Sequence, residues 1–220
     1  MPDPSIEGIR KQLIHDKELL EIKDLGAGSR IHSTKRRTVQ QLAKTAVKPR
    51  KLGELFFRLS VYYQPRTVIE LGTSLGLTTA YLATANPNAI IVTIEGSDAI
   101  HNKAKTVFHT LGIQNIDARL GNFDSVLPQV LAETGTIDMA YVDGNHRYEP
   151  TIRYFQLLLS HAHNDTILIF DDIHWSAEME KAWKEIQQHP SVRCTVDLFY
   201  LGFVFLRDEF KVPQHFVVRF

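Results

Sequence analysis

The sequence predicts an α/β protein, a doubly wound and mostly parallel sheet preceded by an N-terminal helical cap. Three observations predict it. Short aliphatic runs alternate with amphipathic helical stretches from residue 66 onward, the pattern of successive βα units. The runs are continuous in apolar residues, as strands covered on both faces are. The last two long runs are joined by too few residues for a parallel crossover, so they should pair antiparallel.

Residues 1–64 read as helical. Leu52, Leu55, Phe56, Leu59 and Tyr62/Tyr63 make one apolar stripe, and "HDKELLE" is charged and helical in pattern. No low-complexity linker follows, so this segment is expected to pack on the sheet as a cap, with the main domain spanning residues 65–220. Strands are predicted at 66–71 (RTVIEL), 88–95 (NAIIVTIE), 115–120 (NIDARL), 137–143 (IDMAYVD) and 165–172 (DTILIFDD). Between them lie three clear helical faces. Ile100, Ala104, Val107, Phe108 and Leu111 share one, with Ser97 as N-cap and Gly112 just past the end. Ile152, Phe155, Leu158 and Leu159 follow Pro150. Met179, Ala182, Trp183 and Ile186 follow Ser176, and Pro190 closes that helix. "VRCTVDLF" and "LGFVFLRDEF" form the expected antiparallel pair, and "HFVVRF" is a candidate further edge strand.

The 220 residues include 25 basic and 25 acidic side chains, so no global field favours nucleic acid or a membrane surface. The neutrality hides a local bias: Arg30 to Gly53 holds eight Lys/Arg and no acid. That run is either a solvated face or a source of donors for an anionic acceptor. Cys194 is the sole cysteine, so no disulfide forms within the chain. The N-terminus lacks the apolar core of a signal peptide, and no apolar run approaches a membrane span. A cytoplasmic location is expected.

Two glycine turns compete for a nucleotide cofactor, "IKDLGAGSR" (22–30) and "VIELGTSLG" (68–76). In open parallel sheets the ligand sits at the carboxyl ends of the strands, on a turn between strand and helix, and an acid ends the next strand. The second turn meets each condition: it follows a strand, leads into a helix bearing Leu77, Ala80 and Tyr81, and Glu95 ends the next strand. The first, Gly26-Ala27-Gly28, reads as a loop between N-terminal helices or as part of a substrate pocket. The spacing Gly72-x-x-x-Gly76 lacks the pyrophosphate-cradling pair of a dinucleotide site, and no P-loop lysine follows. Glu70 would repel a phosphate and suits a ligand with positive charge. S-adenosylmethionine, a sulfonium without phosphate, is such a ligand.

The chain here resembles the class I, Rossmann-like S-adenosylmethionine-dependent methyltransferases. "ELGTSLGLTT" is similar to their first motif. "YVDGNHRYE" (141–149) and "FDDIHWS" (170–176) resemble the metal-dependent, catechol-type O-methyltransferases and their bacterial relatives. The resemblance covers about residues 50–207 and implies a seven-stranded sheet with an antiparallel last strand. It implies that Glu70, Gly72, Thr73, Ser74 and Gly76 line the methionine part of the cofactor, with Asp143 near the methyl group. Glu95 would take the ribose hydroxyls, and Gly121, Asn122 and Phe123 the adenine. Many relatives carry Asp at the position of Asn122.

Asp143 ends the fourth predicted strand, and Asp171 and Asp172 end the fifth. Three carboxylates in one cleft repel one another unless protonated or bound to a cation. Oxygen ligands suit Mg2+ or another divalent cation, which in the resembling enzymes holds the acceptor oxygens. The resemblance places His146 where catechol enzymes carry a lysine. His146 and His174 are candidate catalytic groups, as base or metal ligand, and Trp175 is a candidate wall for the substrate. The expected activity is O-methylation of a small molecule. The alternatives are an NAD-dependent oxidoreductase and a non-catalytic S-adenosylmethionine-binding protein. A homodimer through the N-terminal helices is a further expectation.

Overall fold

The computed structural model describes residues 2–23 and 34–220, without the side chains of residues 23, 34 and 35. The Gly26-Ala27-Gly28 turn and Arg30 lie outside the described residues. The elements run α1 (Pro4–Leu13), β1 (Leu19–Lys23), β2 (Thr34–Thr38), α2 (Val39–Thr45), α3 (Arg50–Tyr63), β3 (Thr67–Leu71), α4 (Leu77–Ala85), β4 (Ile90–Glu95), α5 (Asp98–Thr110), β5 (Ile116–Leu120), α6 (Phe123–Thr134), β6 (Ile137–Val142), α7 (Tyr148–Leu159), β7 (Ala162–Asp171), α8 (Ala177–Gln188), β8 (Cys194–Asp197), β9 (Leu201–Phe205) and β10 (Gln214–Val217).

The main sheet has eight strands in the order β10-β8-β9-β7-β6-β3-β4-β5. The expected doubly wound, mostly parallel sheet is therefore present, with one strand more than the seven the resemblance implies. β9 is antiparallel to both β7 and β8, as the short connection requires. The extra strand is β10, which pairs parallel with β8 and supplies an edge at "HFVV". Chain contacts divide the molecule into two compact units: Met1–Arg66 with Gly72–Leu127, and Thr67–Leu71 with Pro128–Phe220.

In the first unit, β4 and β5 pair parallel, and α4 and α5 carry the apolar faces that the N-terminal elements cover. Ile6, Ile9 and Leu13 of α1 join Leu75, Leu77, Tyr81, Ile100, Val107 and Phe108 in one buried cluster. α1 thus packs on α4 and α5. Gly53 of α3 admits Tyr81 so closely that an added Cβ would stand 2.3 Å from the ring. Tyr81 donates its hydroxyl to Glu7 over 2.7 Å, and Glu7 also holds Arg10. The all-helical expectation for residues 1–64 needs correction, because "LLEIK" forms β1, antiparallel to β2. Leu20 is buried and Glu21 exposed, a period of two that fits a strand.

In the second unit, β3, β6 and β7 are parallel neighbours. Their residues 68–71, 139–142 and 166–171 are almost wholly buried. α8 begins at Ser176, whose hydroxyl accepts the Met179 N–H at 3.2 Å, and buries Met179, Ala182, Trp183 and Ile186 as the spacing predicts. Gly202 of β9 makes room for the Trp183 ring, which an added Cβ would meet at 2.6 Å.

Candidate active site

The glycine turn leaves β3 at Leu71. The Gly72 N–H donates to the Ile94 carbonyl at 2.9 Å, which ties the turn to β4. Gly72 (φ 100°), Ser74 (φ 50°) and Gly76 (φ 79°) all take left-handed conformations. A Cβ on Gly76 would also stand 2.5 Å from the Phe108 ring. Two of these positions therefore need glycine, and Ser74 holds a strained conformation of the kind found at ligand-binding turns. The Thr73 hydroxyl meets that of Thr93 at 2.6 Å in the interior. Gly76 starts α4, so the first N–H groups of that helix lie beside the turn.

Glu95, at the end of β4, organises this region. One carboxylate oxygen accepts the Ser74 N–H at 3.0 Å, and the other accepts the Ser97 N–H at 2.9 Å. The acid read as a cofactor ligand is thus bonded to the glycine turn itself. Gly121 (φ 148°) donates its N–H to the Glu95 carbonyl at 2.9 Å. Asn122 accepts the Asp124 N–H at 2.8 Å through its side chain, and Phe123 opens α6. Asn caps a helix as well as Asp does, which accounts for the amide at this position.

The second unit gathers the other acids at its strand ends. Glu70 and Asp171 are buried, and Asp143 donates its N–H to the Leu71 carbonyl at 2.8 Å. Asp143, His146 and Asp171 each offer one ligand atom, all within 4.8 Å of one another. His146 Nε2 lies 3.6 Å from Asp143 and 3.8 Å from Asp172. His146 owes this position to Asn145, which adopts φ 57° and donates its side-chain amide to the buried Tyr154 hydroxyl at 3.0 Å. Tyr141, two residues before Asp143, donates its hydroxyl to that carboxylate at 3.0 Å. Burial, followed by the charges of Asp143 and Asp171, holds the Tyr141 phenol well above its ordinary range. Sequence reasoning passed over Tyr141, although the strand's period of two places it on the face of Asp143.

Asp172 and His174 stand differently from their neighbours. The converging trio takes His146 in place of Asp172. β7 ends at Asp171, and Asp172 leaves the strand at φ 53°, with its N–H donated to the Tyr200 carbonyl at 2.7 Å and its carboxylate 3.8 Å from His146 Nε2. His174 is bonded through Nε2 to the buried Asp197 at 2.8 Å and stacked on Phe199. It is not in the trio. Asp197 also accepts the Phe199 N–H at 2.7 Å and so holds that residue at φ 72°. Trp175, Phe199 and Tyr200 expose 73%, 61% and 60% of their surface, an unusual concentration of open aromatic area. Asp197 carried no sequence signal, since its two partners come from separate segments.

Residues 69–173 match a family model described as "Methyltransferase domain". A catechol O-methyltransferase of Niastella koreensis is 28% identical over 124 residues, covering 55% of this chain and 55% of that protein. The chain thus spans about half the length of the curated relative it matches. Among solved structures, the O-methyltransferase TomG of Streptomyces achromogenes, involved in tomaymycin synthesis and in complex with S-adenosylmethionine, is 20% identical with a TM-score of 0.63. That match covers 73% of this chain and 82% of TomG. An O-methyltransferase of Bacillus cereus in complex with S-adenosylhomocysteine is 17% identical with a TM-score of 0.64, over 76% and 88% of the two chains. Residues 69–173 therefore match the methyltransferase-domain model, and the chain shares the Rossmann-like fold of these solved O-methyltransferases.

Proposed function

We propose that this chain transfers the methyl group of S-adenosylmethionine to an oxygen atom of a small-molecule acceptor. The observation that carries this reading is the convergence of Asp143, His146 and Asp171 at strand ends inside the matched domain. The solved neighbours that hold S-adenosylmethionine or S-adenosylhomocysteine support the choice of cofactor. Glu70, Gly72, Thr73, Ser74 and Gly76 would border its methionine part, Glu95 its ribose, and Gly121, Asn122 and Phe123 its adenine.

The reaction is an in-line displacement. The acceptor hydroxyl gives up its proton, its oxygen bonds to the methyl carbon, and the carbon–sulfur bond breaks with both electrons left on sulfur. The products are a methyl ether, S-adenosylhomocysteine and a proton. The work left to the protein is alignment and control of that proton. Asp143 and Asp171 set a negative potential at the acceptor end, and Tyr141 fixes the Asp143 carboxylate through its hydroxyl. The trio fits a divalent cation, because its donor atoms converge. Asp143 and Asp171 would hold that cation, with Asp172 alongside. When bound, it supplies Lewis-acid polarisation of the acceptor oxygen. His174 serves in this reading as a positioning residue for the Leu198–Tyr200 loop. Trp175, Phe199 and Tyr200 offer apolar surface for the body of the acceptor.

The test is incubation of the purified chain with S-adenosylmethionine and a panel of hydroxylated aromatic and aliphatic acceptors, read by mass spectrometry. Methylated acceptor in equal amount to S-adenosylhomocysteine is expected, with loss of turnover in Asp143→Ala and Asp171→Ala. Saturable binding of NAD(H) in place of S-adenosylmethionine, or full turnover in both variants, overturns the proposal.

A further inference from the structure

We infer that the cation site at Asp143 and Asp171 takes a nitrogen ligand from His146, and so prefers Mn2+, Fe2+ or Co2+ over Mg2+. The inference rests on the proposed reading that a cation sits at the acceptor end. A site built from carboxylates alone suits Mg2+, Ca2+ and Mn2+ alike. Mg2+ takes oxygen ligands and dehydrates reluctantly, whereas imidazole binds the borderline first-row ions. One histidine among the donors therefore changes which ion is held.

The geometry supports this role. Two ligands about 2.1 Å from one ion stand roughly 3.0–3.4 Å apart at octahedral to tetrahedral angles. His146 Nε2 is 3.6 Å from Asp143, close to that spacing, and the ligand atoms of Asp143, His146 and Asp171 all lie within 4.8 Å of one another. The loop is built rather than incidental. Asn145 takes a left-handed conformation and is anchored to Tyr154, a fully buried side chain of α7. That anchor aims the next residue at the carboxylates. The Nε2 atom facing two acids is placed as a ligand, and a nitrogen bound to a cation cannot accept the acceptor's proton at the same time. His146 is therefore assigned to the ion rather than to the base.

The experiment uses the full chain, stripped of metal with a chelator and titrated separately with Mn2+, Co2+ and Mg2+. No cofactor or acceptor is needed. Nitrogen coupling is read by electron spin-echo modulation of the Mn2+ complex. The expected result is Mn2+ bound at least roughly tenfold more tightly than Mg2+, with imidazole nitrogen coupling in the wild-type spectrum. In His146→Asp the coupling disappears and the preference shrinks, while a divalent ion still binds. Mn2+ bound without nitrogen coupling and no more tightly than Mg2+ overturns the assignment of His146 and leaves the metal reading intact. Absence of any saturable binding that Asp143→Ala and Asp171→Ala abolish removes the metal reading, and this inference with it.

Discussion

Tyr141 donates its hydroxyl to Asp143 over 3.0 Å from two positions earlier in the chain. Burial comes first among the causes that raise its pKa, with the charges of Asp143 and Asp171 next. A phenol raised in the folded state contributes stability that is fully present below its unfolded value near 10. That stability is lost as pH climbs from there toward the folded value. Tyr81 is shifted in the same direction, by burial and by its bond to Glu7. Tyr141→Phe should therefore flatten the alkaline arm of stability against pH, and Tyr81→Phe should flatten it further. Urea denaturation from pH ~8 to ~11 measures both. At neutral pH, Tyr141→Phe should cost about 1.5–3 kcal/mol, the worth of a hydrogen bond to a charged group.

Gly76 and Gly112 both sit at positive φ, and they separate two costs. An alanine at Gly112 meets nothing within 4 Å and suffers strain alone, about 1–2 kcal/mol. An alanine at Gly76 suffers the same strain and also collides with Phe108 at 2.5 Å. Its loss should reach about 2–5 kcal/mol in chemical denaturation. Because Gly76 opens α4 at the proposed cofactor turn, titration with S-adenosylmethionine should weaken in Gly76→Ala and stay near wild type in Gly112→Ala.

Glu95 satisfies the backbone N–H groups of Ser74 and Ser97 together. Glu95→Ala leaves both without that acceptor, and the expected destabilisation is about 1–3 kcal/mol. Glu95→Gln keeps one accepting oxygen and should lose less. The proposed ribose contact needs the carboxylate, so calorimetric titration should show S-adenosylmethionine affinity falling in both variants, more than stability does in Glu95→Gln.

Asp197 holds His174 with one oxygen and the Phe199 N–H with the other. Asp197→Ala should release both, since Phe199 at φ 72° stays there only while its surroundings hold it. Faster hydrogen exchange at residues 198–200 is the direct readout. In kinetics, KM for the acceptor should rise more than kcat falls, as befits residues that position the acceptor's body.

Much of this architecture is legible in the residues. Continuous runs such as "VIEL" and "ILIFD" form buried strands, the α8 face follows helical spacing residue for residue, and α5 does so apart from the unforeseen His101 and Leu111, which caps the helix. The choice of residues 68–76 over 22–30 as the strand-to-helix turn also came from local context. The β1–β2 pair was not legible, because five residues with one buried and one half-buried position and flanking charges carry too little period to exclude a helix. At the site, the strand-end acids were visible as types. That Asp172 leaves the strand at positive φ while Asp171 stays in it was not, since that depends on where β7 ends. The partnership of His174 with Asp197 joins residues 23 positions apart through two loops, and no pattern in either segment announces it.

The burial of α1 has a consequence for how the chain comes to exist. Ile6, Ile9 and Leu13 are synthesised well before Phe108, with which they share a buried cluster. While it is being made, the chain therefore carries an uncovered greasy face until the ribosome has delivered α5. Contacts so distant in sequence form late and leave the intermediate prone to association. Nascent chains arrested before α5 should be cut readily by protease near α1, and chains arrested well beyond it should resist.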